Sequence, residues 1–179
     1  MSGIFAVVGP SGVGKDTLMD AVAARLPEVH LVRRVITRPE AAGGEDFECV
    51  TEAEFARRLA DGAFALHWRA HGLSYGIPAG VRERLAAGET LLFNGSRAAL
   101  SAADRAFPEL EVIHVTARPE VLAARLAGRG RETAAEIEER LERADLALPD
   151  GLTLHEIDNS GALEDAVAAL VRIVRAGAA

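Results

Sequence analysis

Apolar residues recur along this chain with two alternating periods. Gly3–Val8 is a continuous apolar run, the pattern of a strand buried on both faces. A glycine-rich stretch from Gly9 to Gly14 separates it from a helix over Asp16–Leu26, where Leu18, Val22 and Leu26 fall four apart and Pro27 is the stop. His30–Thr37 reads as one extended segment closed by Arg38-Pro39, and Ala41–Asp46, with Gly43-Gly44, as a loop. Thr51-Glu52-Ala53-Glu54 has the form of a capping box and opens a helix ending near Asp61-Gly62. Phe64–His71 is a predicted strand with a turn at Gly72, and Pro78 suits the first turn of a helix running to Ala87. Strands over Thr90–Phe93, Val112–Thr116 and Leu152–Ile157 then alternate with helices over Ala98–Phe107, Pro119–Leu126 and Ala134–Leu148. A closing helix carries Leu163, Val167, Leu170, Val171 and Val174.

This alternation predicts α/β layering around a parallel sheet. The stretch at about 34–87 breaks the rhythm and reads as an inserted lobe, with a core of 1–33 and 88–179. At 179 residues the chain is one domain by size. Apolar residues make up 49% and aromatics 4%, enough for a core built mostly of aliphatic side chains. No run approaches a membrane span, and no basic leader precedes the first strand. The single cysteine, Cys49, forms no internal disulfide, which fits a cytoplasmic location. A net charge of −7 argues against a broad nucleic-acid or anionic-membrane surface.

Charge type says more than charge total. Of 20 basic residues one is lysine, Lys15, and it lies in the glycine-rich loop. A compact ammonium differs physically from a planar guanidinium, so this position is chemically constrained. Gly9-Pro10-Ser11-Gly12-Val13-Gly14-Lys15 fits G-x-x-x-x-G-K, the phosphate-binding loop, between a strand and a helix. Its glycines let backbone N–H groups converge on phosphate oxygens, the helix N-terminus adds its positive end, and Lys15 reaches the β- and γ-phosphates of ATP. The residue after Lys15 is Asp16 rather than Ser or Thr, followed by Thr17. Two readings of Asp16 stay open: it holds Mg²⁺, directly or through water, or it caps the helix. No aspartate ends the Thr90–Phe93 strand, where Asn94 stands instead.

Two further groups follow. Arg125, Arg129 and Arg140, in an arginine-rich lid at about 125–143 broken by Gly128 and Gly130, are placed to neutralise a transferred phosphoryl group. Glu136–Arg140 is also an i,i+4 pair of the kind found on solvated helix faces. In the inserted lobe Arg34, Arg38, His71 and Tyr75, joined by Arg97 after the Thr90–Phe93 strand, form a candidate site for a phosphorylated acceptor.

The loop, Thr37-Arg38, Tyr75-Gly76 and Arg125–Gly130 together resemble the guanylate kinase superfamily over nearly the whole chain. Within it, Gly14-Lys15-Asp16, Val35-Ile36-Thr37-Arg38 and Asn94-Gly95-Ser96-Arg97-Ala98 are more similar to the ribose 1,5-bisphosphate phosphokinases of phosphonate breakdown. The resemblance implies a three-layer fold like that of P-loop nucleoside-monophosphate kinases, with ATP and Mg²⁺ as cofactors and a sugar phosphate as partner. The reaction it implies is phosphorylation of ribose 1,5-bisphosphate to phosphoribosyl diphosphate. Leu66 falls where guanylate kinases carry a guanine-reading carboxylate. Guanylate kinase is the alternative reading, an inactive guanylate kinase-like scaffold domain a third, and the oligomeric state, a homodimer included, stays open.

Overall fold

The computed structural model describes residues 3–39, 45–128 and 148–178. Arg129, Arg140, most of the expected lid and nearly all of the Ala134–Leu148 helix lie outside them. The first run forms β1 (Gly3–Val8), buried at every position. Such a strand must be covered on both faces and paired on both edges. It pairs in parallel with β7 (Thr90–Asn94) on one side and β8 (Leu110–Thr116) on the other. With β2 (Val29–Leu31) and β9 (Thr153–Asp158) outermost, the order is β2-β7-β1-β8-β9, all parallel.

Alternation along the strands divides the core into two layers. Phe5, Val7, Leu92, Ile113 and Val115 face α1 (Lys15–Arg25) and the closing helix α6 (Leu163–Gly177), through Leu18, Val22, Val167, Leu170 and Val174. Ile4, Ala6, Val8, Leu91, Phe93 and Val112 face the other way, onto Leu100, Ala103 and Phe107 of α4 (Leu100–Ala106) and the residue beyond it. Each large aliphatic or aromatic side chain so buried contributes about 1.5–3 kcal/mol relative to exposure. After β8 and before β9 in the chain lies α5 (Pro119–Gly128).

A second sheet, built from residues 34–78, packs on this second layer through Leu66, Trp68 and Ile77. Its order is β4-β3-β6-β5, from β3 (Arg34–Ile36), β4 (Phe47–Cys49), β5 (Phe64–Ala70) and β6 (Leu73–Pro78). Between β4 and β5, α2 (Glu52–Ala60) starts as its sequence predicts, with the Thr51 hydroxyl accepting from the Glu54 N–H at 3.1 Å. After β6 comes α3 (Val81–Ala86).

Two expectations are corrected here. His30–Thr37 is not one segment: β2 joins the main sheet and β3 the second, with the chain turning at Val32-Arg33. Pro78 closes β6 instead of opening a helix. Gly76 lies inside β6 because a Cβ there would come within 2.6 Å of the Phe64 ring, which stacks on Phe55 at 4.6 Å.

That contact gives a stability test. Gly76→Ala overpacks the Phe64–Phe55 stack and should cost about 1–3 kcal/mol. Gly161→Ala, where a Cβ meets open space, should stay within about 0.5 kcal/mol. Thermal melts of the two variants check the difference.

Candidate phosphate-transfer site

The loop between β1 and α1 lies at the C-terminal edge of the main sheet, where the strand order places ligands in α/β folds. Its glycines are required by neighbours. A Cβ on Gly9 would lie 2.3 Å from the Val115 carbonyl oxygen, and Gly14, at φ 94°, would place one 2.8 Å from Asn159 Nδ2. Pro10 and Val13 are buried, whereas Ser11 and Thr17 are exposed on the loop and on the first turn of α1. Lys15 Nζ donates to the carbonyls of Gly9 at 3.0 Å and Pro10 at 3.2 Å, which holds the ammonium across the loop. Burial lowers its pKa to about 8, and the Arg34 and Arg97 charges act in the same direction, while Asp16 and Glu45 oppose them. Both sheets thus contribute to the field at one ammonium.

The loop is held from behind. The Val13 carbonyl accepts from Asn159 Nδ2 at 2.8 Å and from Arg125 Nη1 at 3.3 Å, and Arg125 Nη2 donates to the Asn159 carbonyl at 2.8 Å. Arg125, expected to face the transferred phosphoryl group, here bridges α5, the loop and the residue after β9. Asn159 is 2% exposed and its backbone N–H donates to the Thr116 carbonyl at 2.8 Å. Sequence reasoning missed Asn159. The available signal was a polar triplet, Asp158-Asn159-Ser160, at the end of a strand parallel to β1.

In front of the loop, Asp16 Oδ1 accepts from Asn94 Nδ2 at 2.7 Å. Pairing of Val7 with Asn94, and the Gly95 N–H bond to the Val7 carbonyl at 2.8 Å, set the end of β7 beside the start of the loop. A carboxylate on the first turn of α1, beside a phosphate cradle, suits a hard divalent cation that takes its remaining ligands from water and phosphate. The donor set fits such an ion.

The second sheet presents the arginines. Arg34 is 6% exposed, and its Nε donates to Glu45 Oε2 at 2.9 Å while its Nη2 contacts Glu45 Oε1. Its guanidinium lies 5.0 Å from the Tyr75 ring centre and 5.8 Å from that of Trp68, and the two rings stack at 5.3 Å, 3° from parallel. Arg34 is thus already paired. Glu45 and Trp68 were not singled out by the sequence; Glu45 follows a diglycine that reads only as a turn. Arg38 differs: its guanidinium covers the Phe47 ring at 4.3 Å, and its Nε and Nη2 are buried with no hydrogen-bond partner among the described residues. Arg97 opens a 3₁₀ turn (Arg97–Ala99) just after β7. His71 is elsewhere in character: at φ 52° it forms, with Gly72 at φ 73°, the two-residue turn of the β5–β6 hairpin, and it is exposed. Leu66 points into the core.

Comparison with known proteins adds four findings. A family model described as an AAA domain matches residues 6–145. The chain is 58% identical over 175 residues to the ribose 1,5-bisphosphate phosphokinase PhnN of Ruegeria sp. (strain TM1040), covering 97% of this chain and 92% of that protein. It is 48% identical to the protein of the same name from Agrobacterium fabrum, covering 98% and 97%. Among solved structures, a guanylate kinase from Anaplasma phagocytophilum superposes with a TM-score of 0.71 at 21% identity, over 98% of this chain and 85% of that one.

Two measurements follow from the loop. Because the Lys15 ammonium is lost as the pH rises through about 8, ATP affinity should be constant well below that value and fall about tenfold per pH unit above it. Titration between about pH 7 and 10, where the ATP phosphates are ionised, reads the slope, and Lys15→Ala should flatten it. Asn159→Ala, which strips a buried partner from the Val13 carbonyl, should lower stability by about 1–3 kcal/mol and weaken ATP binding, as melts and calorimetric titration would record.

Proposed function

The chain belongs to the ribose 1,5-bisphosphate phosphokinase family, and we propose that it moves the γ-phosphoryl group of ATP onto the anomeric phosphate of ribose 1,5-bisphosphate. An oxygen of the acceptor phosphate forms the new P–O bond as the γ-phosphorus loses its bond to the β-bridging oxygen. The products are 5-phospho-α-D-ribose 1-diphosphate and ADP. Since the acceptor oxygen is ionised at neutral pH, the step needs no general base. Catalysis is then alignment and charge neutralisation.

In this reading Lys15 and the loop Gly9–Thr17, through its backbone N–H groups other than at Pro10, bind the ATP phosphates, and Asp16 holds Mg²⁺. That ion, when bound, neutralises charge on the phosphates of the nucleotide. The core of 1–33 and 88–179 carries ATP, and the lobe at about 34–87 carries the acceptor. Arg38 carries most weight: two buried guanidinium nitrogens with no partner among the described residues cost free energy unless an anion completes them. Arg97 is near enough to Lys15 for its charge to lower the lysine pKa. Arg34 and Tyr75 form the floor of the acceptor site, with Arg34 held by Glu45. The geometry gives His71 no comparable support. Arg129 and Arg140 complete the proposal from outside the described residues. The chain is read as acting in the cytoplasm, in phosphonate catabolism. Among the described residues no helix is long and apolar enough to cross a membrane.

Leu66 weighs against GMP. Guanine N–H groups require acceptors, and a buried leucine supplies none; a base edge left unpaired costs on the order of 10²-fold or more in selectivity.

An acceptor panel with ATP tests this: ribose 1,5-bisphosphate, ribose 5-phosphate, GMP and gluconate. The bisphosphate should lead by about 10²-fold or more in kcat/KM, with phosphoribosyl diphosphate accumulating. Lys15→Ala should lower kcat by about 10²-fold or more. Arg38→Ala should raise the KM for the bisphosphate and leave that for ATP nearly unchanged. GMP turnover equal to or faster than that of the bisphosphate sinks the assignment.

A further inference from the structure

In most P-loop enzymes a Ser or Thr of the loop and an aspartate at a neighbouring strand end share the cation. Here the carboxylate is on the loop side, at Asp16, and the strand end carries an amide, Asn94. The two are joined at 2.7 Å, with the amide donating. Asn94 is 8% exposed, and its place is set by pairing with Val7, the penultimate residue of β1. We propose that Asn94 is a positioning residue: its Nδ2 fixes the Asp16 carboxylate through one oxygen so that the other faces the cation. This rests on the reading of Asp16 as the carboxylate that holds Mg²⁺.

The chemistry of the pair explains why the strand end is an amide. An aspartate at 94 would set a second carboxylate at hydrogen-bond distance from the first, and two such groups share their place only by keeping a proton. An asparagine supplies the donor without a second negative charge beside the triphosphate. The buried strand end removes its rotational freedom, so the orientation of Asp16 is prepared before the nucleotide arrives. Outer partners of a metal ligand typically govern about 10–100-fold in metal affinity.

The test uses the full chain with ADP, and Mn²⁺ as the probe ion, its free concentration followed by electron paramagnetic resonance. Asn94→Ala and the near-isosteric Asn94→Leu should weaken Mn²⁺ binding to the enzyme–ADP complex by about 10–100-fold. Their affinity for ADP without metal should be unchanged. In an Asp16→Ala background, removal of the amide should cost nothing further, because Asn94 acts only through Asp16. Losses that add in the double variant overturn the proposal, and so does a loss of metal-free ADP affinity matching the loss for Mn²⁺, which marks a purely structural role. Wild-type Mn²⁺ binding in the Asn94 variants also overturns it. Wild-type binding in Asp16→Ala instead removes the cation reading of Asp16, and the proposal with it; the single variants tell the two failures apart.

Discussion

The arrangement of this molecule depends on the burial of one strand. Six consecutive residues, Gly3–Val8, are shielded on both faces and both edges. Satisfying their backbone in the interior demands parallel neighbours on either side, and satisfying their side chains demands two apolar layers. The loop that follows is therefore held at the middle of the sheet's edge. Carbonyls of the loop and of β8, with the side chains of α5 and of the residue after β9, converge there at atomic contact. Phosphate chemistry is placed where the packing leaves least freedom.

Much of this was legible along the chain. Period and punctuation marked β1, β7, β8 and β9 of the main sheet but not β2, which read as one segment with β3. The loop was legible from its glycines and from the solitary Lys15. The second sheet was harder to read. Its three-residue strands β3 and β4 are too short to carry a period, and β6 contains a glycine and ends in a proline, both of which read as breaks. Gly76 serves a close approach to an aromatic ring, a requirement visible only once Phe64 is brought opposite it.

The site was legible by residue type more than by pairing. The sequence lists arginines, but it does not say which already hold a carboxylate. Arg34 and Arg38 are four residues apart and equivalent on paper. In space one is joined to Glu45 beneath two stacked rings, and the other lies over Phe47 with two buried nitrogens that have no hydrogen-bond partner among the described residues. Asp16 and Asn94 are 78 residues apart and become one unit only through the register of β7 on β1. Arg125 was expected to face the transferred phosphoryl group; its hydrogen bonds go to the backbone of the loop and of Asn159. Long-range register is what local pattern cannot encode.

The stack over Arg34 has an optical consequence. Trp68 is the sole tryptophan of the chain, buried, parallel to Tyr75 and 5.8 Å from the guanidinium. Indole emission shifts with the electric field across the ring, and here Arg34, paired with Glu45, lies over the indole. The enzyme therefore carries a built-in, label-free chromophore in its second sheet, spectrally undiluted by any second indole.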